Sequence, residues 1–358
     1  MTGHDGNGEG GEGGTGGRRP GRRSAVLKAV GISLAGALVL GTAAVGYAYW
    51  HLDNNIKSVD INGALGDDRP AKAVTTPTTT ASASASAEPL PSGSVNILVL
   101  GSDSRSGANQ KLGGGNSSGA RSDTAMVVHI DEGRKSATVV SIPRDTLVTR
   151  PSCPLSSGGS TAVAYHAMFN SAYSVGGPVC AVKTVESLTG VRMDHYLEID
   201  FSGFRKLVDA LGGVTVTTKE DIDDDKSHLK LKAGTHHLTG KQALAMARTR
   251  HGIGDGSDLG RIGLQQTLVK AMLTQISTKD LLTDPAKLFE VADAVTGSLT
   301  TDTGLDSLSE LMTFAKSMKG LDADDVKTVM MPVVTAPSDP NRVVAKEPAA
   351  TDLWESLR

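Results

Sequence analysis

The sequence predicts an α/β domain carried behind a membrane-spanning segment and a linker, and three observations predict it. From Val95 onward, short β-branched runs alternate with helical periods, the pattern of helices layered on a sheet around one core. Residues Ala29 to Trp50 carry no charged side chain. Between these regions, from about Ala71 to Ser94, the chain is mostly Thr, Ser, Ala and Pro, with no apolar period from which to build a core.

The elements follow in order. Thr2 to Gly17 is mostly Gly with scattered polar groups and cannot bury enough apolar surface to order itself. With the basic block Arg18, Arg19, Arg22, Arg23 and Lys28 it makes residues 1–28 a disordered cytoplasmic tail. Residues 29–50 rise about 33 Å as a helix, enough to cross a hydrocarbon layer of roughly 30 Å. The apolar stretch is longer than the roughly 7–15 residues of a cleaved secretory signal. Ala43, Ala44 and Ala48 keep cleavage as the competing reading. Positive flanks stay inside, which places everything after Trp50 outside the cell membrane, with Tyr47, Tyr49 and Trp50 as an interfacial belt. Residues 51–94 read as the extracytoplasmic linker, a coil of about 35 Å reach that keeps the domain near the membrane. Residues 95–335 read as the main folded domain and 336–358 as its carboxy-terminal extension, with no further domain expected.

A net charge of −3 is too near zero to suggest nucleic acid, and no helix-turn-helix or zinc-finger spacing is present. Cys153 and Cys180 allow one intramolecular pairing. Outside the cytoplasm they are expected as a disulfide, the alternative being two buried thiols.

In the folded part, Val95–Leu100, Met126–Ile130 and Thr138–Ile142 are strands, the last two joined by a turn at Asp131-Glu-Gly133. A hairpin there puts Asp123, which begins one strand, and Arg144, which follows the other, at the same end of the sheet. If the first strand runs parallel to the third, Asp103 and Arg105 arrive at that end too, with Arg121 just before Asp123. Two carboxylates and three guanidiniums at one sheet edge suggest a metal and a phosphorylated ligand. Further on, Ala181–Leu188 reads as a helix ended at Gly190 and His195–Ile199 as a strand. Phe201–Leu211 reads as a helix stopped by Gly212-Gly213, and Val214–Thr217 as a strand. Thr239 caps a helix over about Lys241–Ala247, and Leu264, Leu268 and Met272 mark the core face of a helix over Gly260–Ile276.

Arg248-Thr-Arg250 holds two arginines that point the same way only on extended chain. A joint grip on a diphosphate requires the chain to leave the helix by Arg248, and two solvated arginines are the alternative. Asp258 caps the following helix, with Arg261 and Gln265 one turn apart, and a helix start is also an anion site. Asp221-Ile-Asp223-Asp-Asp225 is no calcium loop, because Lys226 replaces the turn Gly and Lys232 the terminal Glu. His236 and His237 face opposite ways on a strand and are read as structural. No His is placed to make a serine triad.

These blocks, in this order, resemble the LytR-CpsA-Psr family of membrane-anchored cell-wall glycopolymer transferases. The resemblance covers nearly all of Val95 to about Met331. It includes Asn170-Ser-Ala-Tyr173-Ser-Val-Gly-Gly177, Asp194-His-Tyr-Leu-Glu-Ile-Asp200-Phe-Ser-Gly-Phe204, Leu207-Val-Asp-Ala-Leu-Gly-Gly-Val214 and Gly234-Thr-His-His-Leu-Thr-Gly240. A lone Gly-x-Asp-x-Arg is weak, whereas seven or more blocks in register are specific.

The resemblance implies a mixed central sheet flanked by helices, with an apolar tunnel for a polyprenyl chain. The implied reaction moves a glycopolymer from a polyprenyl-diphosphate carrier to a peptidoglycan hydroxyl, expected on muramic acid. It forms a phosphodiester and releases polyprenyl phosphate. The alternatives are a polyprenyl-diphosphate diphosphatase and a catalytically weak wall-binding or attenuator paralogue. By the same resemblance Asp103 and Asp123 hold Mg2+, with Mn2+ as the substitute. Arg105, Arg121, Arg144, Arg248, Arg250, Arg261 and Gln265 surround the diphosphate. The proton acceptor is left open among Asp123, Asp145 and Asp258. These residue types suit phosphoryl transfer, where positioning and charge neutralisation dominate. Two positions depart from the family pattern: Leu264 stands where an Arg often precedes Gln-Gln, and Met168 where a Lys is common.

Overall fold

The computed structural model describes residues 42–72, 93–102, 122–249, 258–277 and 284–358, with the backbone alone for residues 123, 258 and 259. In chain order it begins with helix α1 (residues 42–55), strand β1 (Lys57–Val59) and the short helix α2 (Ile61–Leu65). Strands β2 (Val95–Ser102), β3 (Ser122–Ile130) and β4 (Ala137–Ile142) precede β5 (Leu147–Arg150) and β6 (Ala164–Met168). Then come α3 (Phe169–Thr189), β7 (His195–Asp200), α4 (Phe201–Ala210), β8 (Val214–Thr218), β9 (Ile222–Asp224), β10 (Leu229–Leu231) and β11 (Gly234–Leu238). Helices α5 (Gly240–Arg248), α6 (Asp258–Ile276) and α7 (Pro285–Thr296) lead to β12 (Leu299–Asp302) and α8 (Leu308–Ser317). Strands β13 (Val326–Met330), β14 (Val333–Ala336) and β15 (Asp339–Ala345) and helix α9 (Ala349–Glu355) complete the chain.

The chain divides into two units, Met1–His51 and Leu52–Arg358. In the first, the Tyr47 ring lies 6.0 Å from Trp50 and 6.1 Å from His51. Among the described residues no helix is long and apolar enough to cross a membrane, and residues 29–41 of the expected span lie outside them.

The second unit is the mixed α/β fold that the sequence leads one to expect. Its central sheet, seven-stranded among the described residues, has the order β1-β12-β7-β2-β3-β4-β13. β2, β3 and β4 form an antiparallel meander, while β7 runs parallel to β2 and β13 parallel to β4. On one face, Leu98, Leu100, Val127 and Val140 are 0% exposed and pack against α3 residues such as Val182 and Val185. A second cluster, with Val208, Val214, Leu238, Met246 and Leu268, joins α4, α5 and α6 to the hairpins β8–β11 and β9–β10.

Local chemistry sets the ends of these helices. The Asp200 carboxylate accepts the Gly203 N–H at 2.7 Å and starts α4 at the last residue of β7. The Gln242 side-chain oxygen accepts the Thr239 N–H at 3.0 Å at the start of α5. Gly190, with φ 64°, stops α3 in the left-handed conformation. That helix begins at Phe169, earlier than its apolar period suggests. Gly176 and Gly177 are non-helical and Pro178 follows, so the periodicity breaks into two pieces on either side of a kink.

The domain also begins earlier than composition suggests. Residues 52–72, assigned by sequence to the linker, are part of the fold. β1 pairs with β12, and Ile61 and Leu65 are buried in the main core. The Arg69 guanidinium reaches Glu186 on α3, Nη2 to Oε1 at 2.6 Å, and also donates to the Met193 carbonyl at 2.7 Å. At the other end, β15 pairs with β14 and Trp354 is buried in the same core, so the expected extension is integral.

The Arg69 and Glu186 side chains are 1% and 2% exposed, so removing one leaves a buried charge. Arg69→Ala is expected to lower the unfolding free energy by about 3–5 kcal/mol, read as a shift of the urea midpoint. A shift worth less than about 1 kcal/mol contradicts this assignment.

Candidate active site

Four strand termini meet at one end of the sheet. β2 ends at Ser102, directly before Asp103, and Ser102 lies opposite both Ser122 on β3 and Asp200 on β7. Gly101 pairs with Thr124 and Ser102 with Ser122, so Asp123 is an extra residue with no opposite number on β2. Such register shifts re-aim side chains beside functional sites. Gly101 lets the two strands come close there, since a Cβ would lie 3.1 Å from Thr124 Cβ. β4 ends at Ile142, opposite Ala125, and the turn Pro143-Arg144-Asp145 follows. The backbone therefore carries Asp123 and Arg144 to one end. Asp103, Arg105, Arg121 and Arg250 lie outside the described residues, as do the side chains of Asp123 and Asp258.

Arg144 is held from several sides. Its carbonyl accepts the Asn170 N–H at 3.1 Å, and the Thr146 hydroxyl donates to the Pro143 carbonyl at 2.6 Å. The Arg144 side chain is 16% exposed, with Nε 3.7 Å from Asp145 Oδ2. Asp145 Oδ1 lies 3.7 Å from Arg342 Nη1 on β15. This places Asp145 between two guanidiniums, where it orients Arg144.

Arg248 is the last residue of α5, and Thr249 is extended (φ −60°, ψ 131°), so the chain leaves the helix one residue later than a two-arginine grip requires. Thr249 is buried, its hydroxyl bonded to the Ala245 carbonyl and to Ser227 Oγ, both at 2.9 Å. The Arg248 guanidinium stacks over the Phe201 ring at 5.1 Å. Phe201 directly follows Asp200, which puts Arg248 at the same sheet end as Arg144, about 14 Å of sheet away across three strand spacings. Arg261 is a buried cation, 4% exposed, on the first turn of α6. One turn on, Gln265 Nε2 donates to the Ala247 carbonyl at 3.0 Å, tying α6 to the end of α5. Gln266 Nε2 donates to Ser141 Oγ at 3.2 Å and to the Val329 carbonyl at 3.0 Å, tying α6 to the sheet. Phe201, Thr249 and Gln266 are site supports that the sequence reading passed over. The aromatic opening of Asp200-Phe-Ser-Gly-Phe204 was the available signal.

Among the described residues no group of three or more His, Cys, Asp or Glu could hold a metal ion. Asp103 and the side chain of Asp123, the expected metal ligands, lie outside the described residues. In the acidic loop Lys230 pairs with Asp223 at 2.9 Å and Lys232 with Asp221 at 2.7 Å. His236 and His237 Nε2 meet the Lys232 and Gly212 carbonyls at 2.7 and 2.8 Å.

The sheet face opposite α3 differs from its partner. Val99, Val128, Leu197 and Ile199, in the middle of the sheet, are only half-buried there. Val99, Val128 and Leu197 pack towards Phe314 and Met318 on one side, whereas Ile199 packs towards Leu207, Met272 and Val295 on the other. They make a partly exposed apolar floor on a face whose other apolar side chains, Ile97, Met126 and Val139, are buried. The small cavity of about 70 Å³ lined by Lys72, Asn96, Arg192, Asp194 and Arg358 lies at the opposite end, where β2 begins. Cys153 and Cys180 form a disulfide, and Gly176 packs against it.

A family model described as the LytR_cpsA_psr family matches residues 48–358. The cell wall biosynthesis protein LcpA of Corynebacterium glutamicum is 33% identical over 267 residues, covering 68% of this chain and 51% of that protein. TagV of Bacillus subtilis, a polyisoprenyl-teichoic acid–peptidoglycan teichoic acid transferase, is 28% identical over 263 residues, covering 72% of this chain and 61% of TagV. The chain thus spans about half the length of LcpA and less than two thirds of TagV. In fold it is similar to a LytR-Csp2A-Psr enzyme from Actinomyces oris, with a TM-score of 0.59 and 22% identity over 84% of this chain and 95% of that one.

Phe201→Leu keeps the apolar bulk and removes the ring face beneath Arg248. It is expected to weaken binding of inorganic diphosphate by about two- to thirtyfold, measured by calorimetry. Unchanged affinity would detach the Arg248–Phe201 stack from anion binding.

Proposed function

The chain belongs to the LytR-CpsA-Psr family, and we propose that it transfers a glycopolymer from a polyprenyl-diphosphate carrier to a peptidoglycan hydroxyl. The observation that carries this reading is the placement of Arg144 and Arg248 at the same sheet end, beside partly exposed apolar side chains such as Ile199. A ligand with a long apolar tail and a diphosphate head has that combination of surfaces. TagV, whose name describes a transfer to peptidoglycan, supports the same reading.

In the proposed reaction the acceptor sugar oxygen attacks the phosphorus that bears the glycopolymer. The bond from that phosphorus to the bridging oxygen breaks, a phosphodiester forms and polyprenyl phosphate leaves with the electron pair. The hydroxyl proton passes to a carboxylate, Asp123 or Asp258, since Asp145 is held between Arg144 and Arg342. Arg144 and Arg248 lie against the non-bridging oxygens, and Arg105, Arg121, Arg250 and Arg261 complete the cationic surround. Mg2+ or Mn2+ held by Asp103 and Asp123 neutralises further oxygen charge when bound.

A single span over residues 29–50, with the amino terminus in the cytoplasm, is the proposed anchor. The support for it is the uncharged stretch Ala29–Trp50 behind a basic flank. β1 starts beside Thr300, whose neighbour on β7 is Glu198, and runs away from that sheet end. Within the folded unit, β1 therefore begins at the sheet end that carries Arg144 and Arg248.

The test is incubation of the full chain, in detergent, with lipid-linked glycopolymer, peptidoglycan and Mg2+. A phosphodiester-linked product with stoichiometric polyprenyl phosphate is expected. Polyprenyl phosphate without product would indicate a diphosphatase, and neither would indicate a binding paralogue. Arg144→Ala and Asp123→Ala are each expected to cut metal-dependent release of polyprenyl phosphate by about a hundredfold or more without lowering the melting temperature. Wild-type turnover in both would overturn the site.

A further inference from the structure

Among the buried carboxylates that the proposed reaction does not use, Glu198 lies near the site end of the sheet. Glu198 lies two residues before the end of β7, opposite Leu100 on β2 and Thr300 on β12, and is 9% exposed. It shares the dry face of the sheet with Tyr196, two residues earlier. Both of its oxygens are engaged. The Tyr173 hydroxyl donates to Oε1 and the Tyr196 hydroxyl to Oε2, each at 2.6 Å. These are short, charge-assisted bonds. Among the described residues no cation pairs with this carboxylate, so the two phenols are what compensates its burial.

The two tyrosines come from different places. Tyr196 belongs to β7 itself, so its bond stays within the strand. Tyr173 belongs to α3, in the segment before Gly176 and Gly177 interrupt the helix. That interruption uncouples the first two turns of α3 from the long remainder, so they need their own attachment to the sheet. The same first turn carries the site. The Phe169 N–H donates to the Thr146 carbonyl at 2.8 Å and the Asn170 N–H to the Arg144 carbonyl at 3.1 Å. Tyr173 follows Asn170 by three residues, one turn along the same helix face.

We infer that Glu198 is a positioning residue: through Tyr173 it fixes the first turn of α3, and that turn holds Arg144 at the diphosphate. The inference rests on the reading of Arg144 as a diphosphate ligand. Burial and the adjacent Glu198 charge push the Tyr173 phenol far above its ordinary pKa, so it remains a donor wherever the enzyme works.

The test uses the full chain in detergent, with geranylgeranyl diphosphate and Mg2+ as the probe and calorimetry as the readout, on Tyr173→Phe, Arg144→Ala and the double variant. Tyr173→Phe is expected to weaken binding by about tenfold and Arg144→Ala by about a hundredfold. The double variant is expected to match Arg144→Ala alone, because the tyrosine acts only through the arginine. Wild-type affinity in Tyr173→Phe, or losses that multiply in the double variant, would overturn the inference while leaving the site reading standing. Wild-type affinity in Arg144→Ala overturns both. Should Tyr173→Phe not fold, Glu198→Gln keeps the shape and one acceptor and is expected to lose less affinity than Glu198→Ala. It should also show the same absence of further loss beside Arg144→Ala, and multiplying losses there overturn the inference equally.

Discussion

The parallel pairing of β2 with β7, set beside the antiparallel meander of β2, β3 and β4, is the constraint on which the rest of the structure depends. It makes Ser102, Ser122, Ile142 and Asp200 neighbours at one end of the sheet although they are scattered over about a hundred residues of chain. Strand side chains alternate between faces, so a slip of one residue in any of these pairings would send Leu98 and Leu100 to the other face. It would also take Arg144 away from the end where β2 and β7 stop. The full burial of Leu98, Leu100, Val127 and Val140 fixes the register, and the register fixes the site.

The two faces of that sheet differ in how completely they are buried. The α3 face is closed by tightly buried side chains and further secured by the Arg69–Glu186 pair. The Cys153–Cys180 disulfide, joining positions 27 residues apart, adds about 3–4 kcal/mol by restricting the unfolded chain. With that much holding one face, the other can leave Val99, Leu197 and Ile199 half-buried in mid-sheet. Exposing apolar area costs about 25 cal/mol per Å². In the proposed function, the lipid tail of the carrier recovers part of this cost by lying against those side chains.

The strands and most of the helices were legible because their signals are local. The turn at Asp131-Glu-Gly133 fixed the hairpin, and Gly190 and Gly212 marked helix ends at positions the structure reproduces within a residue or two. What was not legible is long-range. Residues 52–72 look like linker in any local window, and long-range contacts such as β1 with β12 and Arg69 with Glu186, 117 residues away, reveal them as part of the domain. Helix α3 was truncated because Gly176-Gly177-Pro178 destroys its period, although its first turn is the part that holds Arg144. Phe201 and Glu198 read as ordinary core and strand residues. Their importance appears only when pairing brings Arg248 to one and Tyr173 to the other. The charged residues were conspicuous in the sequence, whereas the uncharged groups that aim them were not.

The central claim is that one sheet end binds the diphosphate while the half-buried face beside it takes the lipid. A crystal structure with geranylgeranyl diphosphate bound tests this most directly. The account predicts the diphosphate between Arg144 and Arg248, with the tail running along Val99, Leu197 and Ile199. A diphosphate seated among Lys72, Arg192 and Arg358 at the opposite end of the sheet, or a tail directed away from that apolar floor into solvent, would contradict it.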